Sequence, residues 1–317
     1  MSESVKLSIG LFCHNHEAFV RQALEGILSQ DAGIVTEVLV MDDASSDATL
    51  EIVRSIAQSR PEIIIHRSEV QQGPVKQARW FTSEAKGEYM CWLDADDYWN
   101  EPSKIRRQLA FLDSHPDYAG CFHDAQIVSE IPDKETDEEY KMRYHSQWRS
   151  YSQINHYKED YFAWDAVMRR IIPTASLVFR RPDFTDFFSR FNPPQLSLAW
   201  AVHLWLLMNS RFRYFNETWS VYLDRPQGFS KHYPLKTFKV NNIAILERFL
   251  EEPYYQGIKR DVFRGLVQEY YHLLSLPVLQ IENGEELNQY LKRYKHYSNE
   301  LRKADLKWFS AVHRKKG

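Results

Sequence analysis

Four times in the first hundred residues, an apolar run of strand length ends in a polar cluster and gives way to a helical pattern. Residues 6–13 (KLSIGLFC) end in His14, Asn15 and His16, and Phe19, Ala23, Ile27 and Leu28 then recur at helical spacing until Asp31 and Gly33. Residues 36–43 (TEVLVMDD) end in two acids and lead into SSDATLEIVRSIAQ, whose Leu50, Val53 and Ile56 lie on one helical face. EIIIHRS, a Gln72–Gly73–Pro74 loop and KQARWFTSEAKG repeat the unit, and EYMCWLDADD closes the series. Short apolar runs alternating with amphipathic helices predict an α/β fold: a mostly parallel, Rossmann-like sheet with helices on both faces. Ligands of such sheets bind beyond the carboxyl ends of the strands. The clusters His14–Asn15–His16, Asp42–Asp43 and Asp94–Asp96–Asp97 are therefore expected in one crevice.

Farther along, SKIRRQLAFLDSH reads as a helix and AGCFHDAQIV as a strand with His123 and Asp124 at its polar end. The charge-rich 131–143 has no apolar face and reads as a solvated loop or exposed helix. IIPTASLVFRR has strand character, LSLAWAVHLWLLMNS the density of a buried helix, and RFRYFNETWSVYLD the look of a strand pair around Asn216 and Glu217. Beyond Lys236 the pattern is helical, so the expected organisation is 1–235 as the main domain and 236–317 as a helical extension. Within the first, the strand-helix alternation spans 1–100 and the looser pattern 101–235.

Charge argues against a general nucleic-acid binder: the formal net charge is −3, and that function needs a broad basic field. Cys13, Cys91 and Cys121 sit apart in apolar runs without zinc spacing and read as buried thiols of a reducing compartment. No signal peptide or run of about 20 apolar residues is visible, so the expected location is cytoplasmic. From Leu291 to Gly317 nine Lys/Arg face two acids, with Trp308, Phe309 and Val312 among them. Such a helix suits peripheral contact with the inner face of an anionic membrane, or a solvated helix end.

In VLVMDDASSDATL, Ser46 or Asp47 suits a helix cap, but capping does not call for the acids at 42 and 43. Paired acids at a strand end suit hydrogen bonds to a nucleoside. In CWLDADDYW, an Asp-x-Asp offers hard oxygens that favour Mn²⁺ or Mg²⁺ beside a diphosphate, or else forms a solvated turn. Spacing of two between His14 and His16, without a third ligand, does not make a zinc site.

Taken in order, LSIGLFCHNHEAFVRQALEGILSQ, EVLVMDDASSDATLEIV and QQGPVKQARWFTSEAKGEYMCWLDADDYWNEPSKIRRQ resemble the family-2 glycosyltransferases, enzymes of the A-type glycosyltransferase fold. PTASLVFRR and FRYFNETWSVYLDRPQGFS look like the later sheet and closing segment, and about two-thirds of the chain is covered. The resemblance implies a metal-dependent, hexosyltransferase-type enzyme that moves a sugar from a nucleotide-diphosphate donor to a glycan or lipid-linked acceptor in cell-surface polysaccharide synthesis, with inversion. It implies that Asp43 contacts the base with Asp42 beside it, that His14 and Asn15 border base or ribose, and that Asp94 lies near ribose and diphosphate. Asp96 would be the principal ligand of Mn²⁺ or Mg²⁺ with Asp94 beside it, and Arg79 would face the diphosphate.

Two positions depart from the family pattern. Ala199 stands where the family carries its general base, ahead of Trp200; Asp183, Asp186, Asp124 and His203 are the substitute candidates. Tyr222–Leu223–Asp224–Arg225 stands where Tyr-Arg-x-His is common, which leaves Arg225 to serve the diphosphate. A protein that binds nucleotide-sugar or glycan but has lost transfer is the alternative that Ala199 raises.

Overall fold

The computed structural model describes residues 4–30, 33–34, 36–130, 149–168, 172–191, 194–208, 210–275 and 284–314. The charge-rich 131–143 segment lies outside them. Strands β1 (Leu7–Cys13), β2 (Thr36–Asp42), β3 (Ile63–Arg67) and β4 (Tyr89–Asp94) alternate with helices α1 (Val20–Leu28), α2 (Thr49–Ala57) and α3 (Pro74–Glu84). Then come β5 (Tyr98–Trp99), α4 (Lys104–Ser114), β6 (Tyr118–Ser129), α5 (Tyr151–Asn155), β7 (Asp160–Tyr161) and α6 (Ala163–Met168). The remainder is β8 (Val178–Arg180), α7 (Phe184–Phe191), α8 (Leu198–Leu206), β9 (Arg211–Asp224), α9 (Leu235–Leu250), α10 (Lys259–Leu274) and α11 (Gly284–Arg314).

The sheet order is β3-β2-β1-β4-β8-β6-β9-β5, with β7 also on β9. β1 to β4 are mutually parallel, as is the β6–β9 pair, and β8 runs antiparallel between β4 and β6. β1 is buried at every position and β4 at all but Asp94, as expected of strands covered on both faces. At Gly26, an added Cβ would lie 2.7 Å from the Trp99 carbonyl oxygen, so only glycine lets α1 lie directly on β5. Register then fixes the crevice: Cys13 is level with Asp42, and Phe12 with Asp94. His14 and Asp43 therefore leave their strands at one height, and Ala95 leaves the neighbouring strand one residue lower.

Three expectations change. RFRYFNETWSVYLD is one strand, not two: Asn216 and Glu217 form a bulge between the pairs His123–Phe215 and Asp124–Thr218 while β9 continues along β6. β6 likewise runs on to Ser129, so His123 and Asp124 are buried within the strand and not at its end. In IIPTASLVFRR only Val178–Arg180 is strand; Thr174–Ser176 is a 3-10 turn held by Ser176 Oγ donating to the Pro173 carbonyl.

The chain divides into two compact units, Met1–Phe162 with Ile171–Gly228, and Ala163–Arg170 with Phe229–Gly317. The second unit is helical. In it, Gly265 on α10 lets Val167 of α6 approach closely, and Tyr270 and Tyr297 both donate to Glu247. The three cysteines are free and buried, and burial pushes each thiol up. Among the described residues no helix is long and apolar enough to cross a membrane.

Candidate active site

The loops leaving β1 and β2 are laced together. Asn15 takes a left-handed backbone (φ 54°), its N–H donates to Ser45 Oγ, and its Oδ1 accepts from the Ser46 N–H at 2.8 Å. The His16 N–H donates to Thr49 Oγ1, the Glu17 N–H to Asp47, and the Ala48 N–H to Glu17. Ala44 is also left-handed (φ 56°), a strain of about 1–2 kcal/mol for a residue with a Cβ. Ser45, Ser46 and Asp47 thus join two loops, and Asp47 Oδ1 also accepts from the Thr49 N–H at 3.0 Å at the start of α2.

Asp43 is buried, and its two oxygens accept from the Gln72 and Gly73 N–H groups, each at 2.8 Å. Its carbonyl meets His14 Nδ1 at 2.7 Å. Asp43 therefore fixes the loop before α3 over the strand ends, next to His14 and Asn15. Asp42 is buried as well: Oδ2 accepts from the Ser45 N–H at 3.3 Å, Arg67 stands 3.9 Å away, and Oδ1 has no hydrogen-bond partner.

The three acids of CWLDADDYW have separate surroundings. Asp94 opens onto the crevice, and among the described residues its carboxylate has no hydrogen-bond or ion-pair partner. Desolvation by the surrounding protein acts on it first, and Asp96 adds a like charge. Together they push its carboxyl up to about 7. Asp96 Oδ2 accepts from Arg225 Nη2 at 2.6 Å and Nε at 3.2 Å, with His16 Nε2 3.9 Å away. Burial lowers the His16 pKa, with Asp96 opposing the shift, so the ring is neutral near pH 7. Asp97 is buried, its Oδ1 accepts from the Leu223 N–H at 3.1 Å, and desolvation with its two acidic neighbours pushes its carboxyl well up. It ties the turn after β4 to the end of β9.

Arg225 is buried and lies 4.2 Å over the Phe19 ring. A divalent cation does not fit this arrangement as it stands. Asp96, the expected principal ligand, is already neutralised by a guanidinium that would repel a metal held on the same carboxylate. Among the described residues, no three His, Cys, Asp or Glu side chains are grouped to hold a metal ion.

Other expected site residues are not in the crevice. Arg79 donates to the Phe188 carbonyl at 3.2 Å and stacks on its ring, so it joins α3 to α7. Asp183 and Asp186 follow Arg180 and Arg181, which pair with Tyr89 and with the Glu88 carbonyl at the start of β4, the end opposite Asp94. Asp186 there pairs with Arg190 at 2.8 Å. Asp124 is buried, with its oxygens accepting from Ala125 N–H, Ser152 N–H and Ser152 Oγ. His203 is sealed in α8, and burial pushes it down to about 3. None of these is an available base at the crevice, because each is tied up, sealed or on the far side.

Tyr151 was not singled out by sequence, and Tyr222 only as the first residue of the closing segment Tyr222–Leu223–Asp224–Arg225. Their rings meet edge to face at 5.6 Å, and the charges of Asp97 and Asp224, added to burial, push both phenols well up. No local pattern marks their pairing, because β9 and α5 meet only in the fold.

A family model described as "Glycosyl transferase family 2" matches residues 8–183. An uncharacterised protein of Mycobacterium tuberculosis (strain ATCC 25618 / H37Rv) is 30% identical over 227 residues, 70% of this chain and 60% of that protein. The chain thus spans less than two-thirds of that relative. The crystal structure of Staphylococcus aureus TarS 1–349 with UDP-GlcNAc superposes with a TM-score of 0.65 at 17% identity, covering 92% of this chain and 80% of that one. A Pyrobaculum calidifontis mannosyltransferase solved with GDP-Man and Mn²⁺ gives 0.53 at 16% identity, covering 95% and 84%. Both structures share the α/β architecture with its central sheet. The matched segment includes β1, β2, β4 and the Asp94–Asp96 turn, and the chain belongs to glycosyl transferase family 2.

Proposed function

We propose that the chain transfers a sugar from a nucleotide-diphosphate donor to a glycan or lipid-linked acceptor, in the synthesis of a cell-surface polysaccharide. One observation carries this reading: the ends of β1, β2 and β4 are held within one residue of level, so His14, Asp43 and Asp94 surround one crevice that Arg225 closes. In this reading His14, Asn15 and the Gln72–Gly73 loop fixed by Asp43 border the nucleoside. Asp94, open and without a partner, faces ribose and diphosphate. A cation of the kind solved with the mannosyltransferase, Mn²⁺, or Mg²⁺ in its place, would first have to displace Arg225 from Asp96. Transfer needs an acceptor hydroxyl to lose its proton within hydrogen-bond reach of a base.

A second reading, donor binding without transfer, is favoured by Ala199 and by the engagement of Asp124, Asp186 and His203 elsewhere. Incubation with UDP-, GDP- and dTDP-sugars, followed by measurement of nucleoside diphosphate release, separates the two. Slow release from one donor, faster with a saccharide acceptor, supports transfer. Tight donor binding with no release over days supports the second reading and sinks the first.

A further inference from the structure

We propose that Arg225 carries the donor's diphosphate in place of a divalent cation, so that this crevice binds nucleoside diphosphates without metal. The inference rests on the donor-site reading above and deepens it. Three segments distant in sequence build the feature: Phe19 ahead of α1, Asp96 after β4, and Arg225 just beyond β9. Phe19 holds the guanidinium face at 4.2 Å, and Asp96 Oδ2 takes Nε at 3.2 Å and Nη2 at 2.6 Å. Both contacts fix the plane of a side chain only 8% exposed. Nη1 has no acceptor among the described residues, and it is not one of the atoms sealed from solvent. Its two donors are left for a phosphate oxygen.

A guanidinium is permanently charged, weakly hydrated and planar, which suits it to phosphate oxygens. It also needs no dehydration of a metal's water shell. Asp96 is then a positioning residue: it spends its charge on the arginine and aims it. A metal at Asp96 would sit against that fixed positive charge, so the guanidinium and the cation are alternatives for one place.

The test is calorimetric titration of the full chain with UDP, GDP and dTDP and their monophosphates, in EDTA and again with excess Mn²⁺. The inference expects one diphosphate to bind in EDTA, with Mn²⁺ changing its Kd by less than about threefold. Arg225→Gln should weaken that diphosphate by about tenfold or more, and the monophosphate of the same base much less. Arg225→Lys, which keeps the charge without the fork, should fall between; it also serves if the glutamine variant does not fold. The glutamine variant frees Asp96, so Mn²⁺ should restore part of its diphosphate binding. Binding that appears only with Mn²⁺ overturns the inference and leaves the donor site standing. An unchanged diphosphate Kd in both variants, or equal loss of mono- and diphosphate, overturns it too. If no nucleotide binds under either condition, the donor-site reading fails and the inference with it.

Discussion

Asp43 gives both carboxylate oxygens to backbone donors at Gln72 and Gly73, so Asp43→Ala strands two partly buried N–H groups. A cost of about 2–4 kcal/mol follows, read as a lower urea midpoint with unchanged slope; a loss below about 1 kcal/mol would contradict the anchoring role. Asp97 behaves differently: desolvation and its two acidic neighbours push its carboxyl well up, and among the described residues its side chain accepts from the Leu223 N–H. Asp97→Asn keeps a carbonyl acceptor and should stay within about 1 kcal/mol of the parent, whereas Asp97→Ala should lose about 2. Equal losses in the two variants would show that the charge itself matters. The sequence made the cluster of acids conspicuous but could not divide their roles. Those roles are set by Leu223 and Arg225, 126 and 129 positions away, and no local pattern encodes a pairing at that distance.

At the scale of elements, strands buried on both faces were legible as apolar runs, and their polar ends marked the crevice. β9 was less legible because Asn216 and Glu217 look like a turn. The strand passes through them as a bulge because β6 continues alongside, and Glu217 is held outside by Arg107 at 2.8 Å. α8 explains why His203 failed as a base: among the apolar side chains of LSLAWAVHLWLL, an imidazole at helical spacing turns inward. Its pKa of about 3 lies below the ordinary 6.5. Between those values the unfolded chain takes up a proton that the native state refuses. His203 therefore leaves stability untouched above about pH 6.5 and lowers it progressively as pH falls toward 3. His203→Leu should remove up to about 1.4 kcal/mol per pH unit from the acid-side slope of unfolding free energy. An unchanged slope between pH 6 and 4 would contradict this.

For the molecule as a whole, a cut at residue 235 misses that Ala163–Arg170 belong with the helical unit. Six residues of helix inside a stretch otherwise built from strands carry too little periodicity to reveal their partners. The basic α11 keeps Trp308 partly exposed under Arg260 and leaves Leu306 exposed. The full chain should float with anionic vesicles at low salt and release as salt rises, since such attraction decays within a Debye length; equal behaviour with neutral vesicles would contradict a membrane role. A crystal structure with a non-hydrolysable nucleotide-diphosphate sugar shows what the crevice holds. The nucleoside should lie between His14, Asn15 and the Gln72–Gly73 loop, with the diphosphate beside Asp94 and on Arg225 Nη1. A nucleotide bound elsewhere on the sheet, or a diphosphate turned away from Arg225, would contradict this placement.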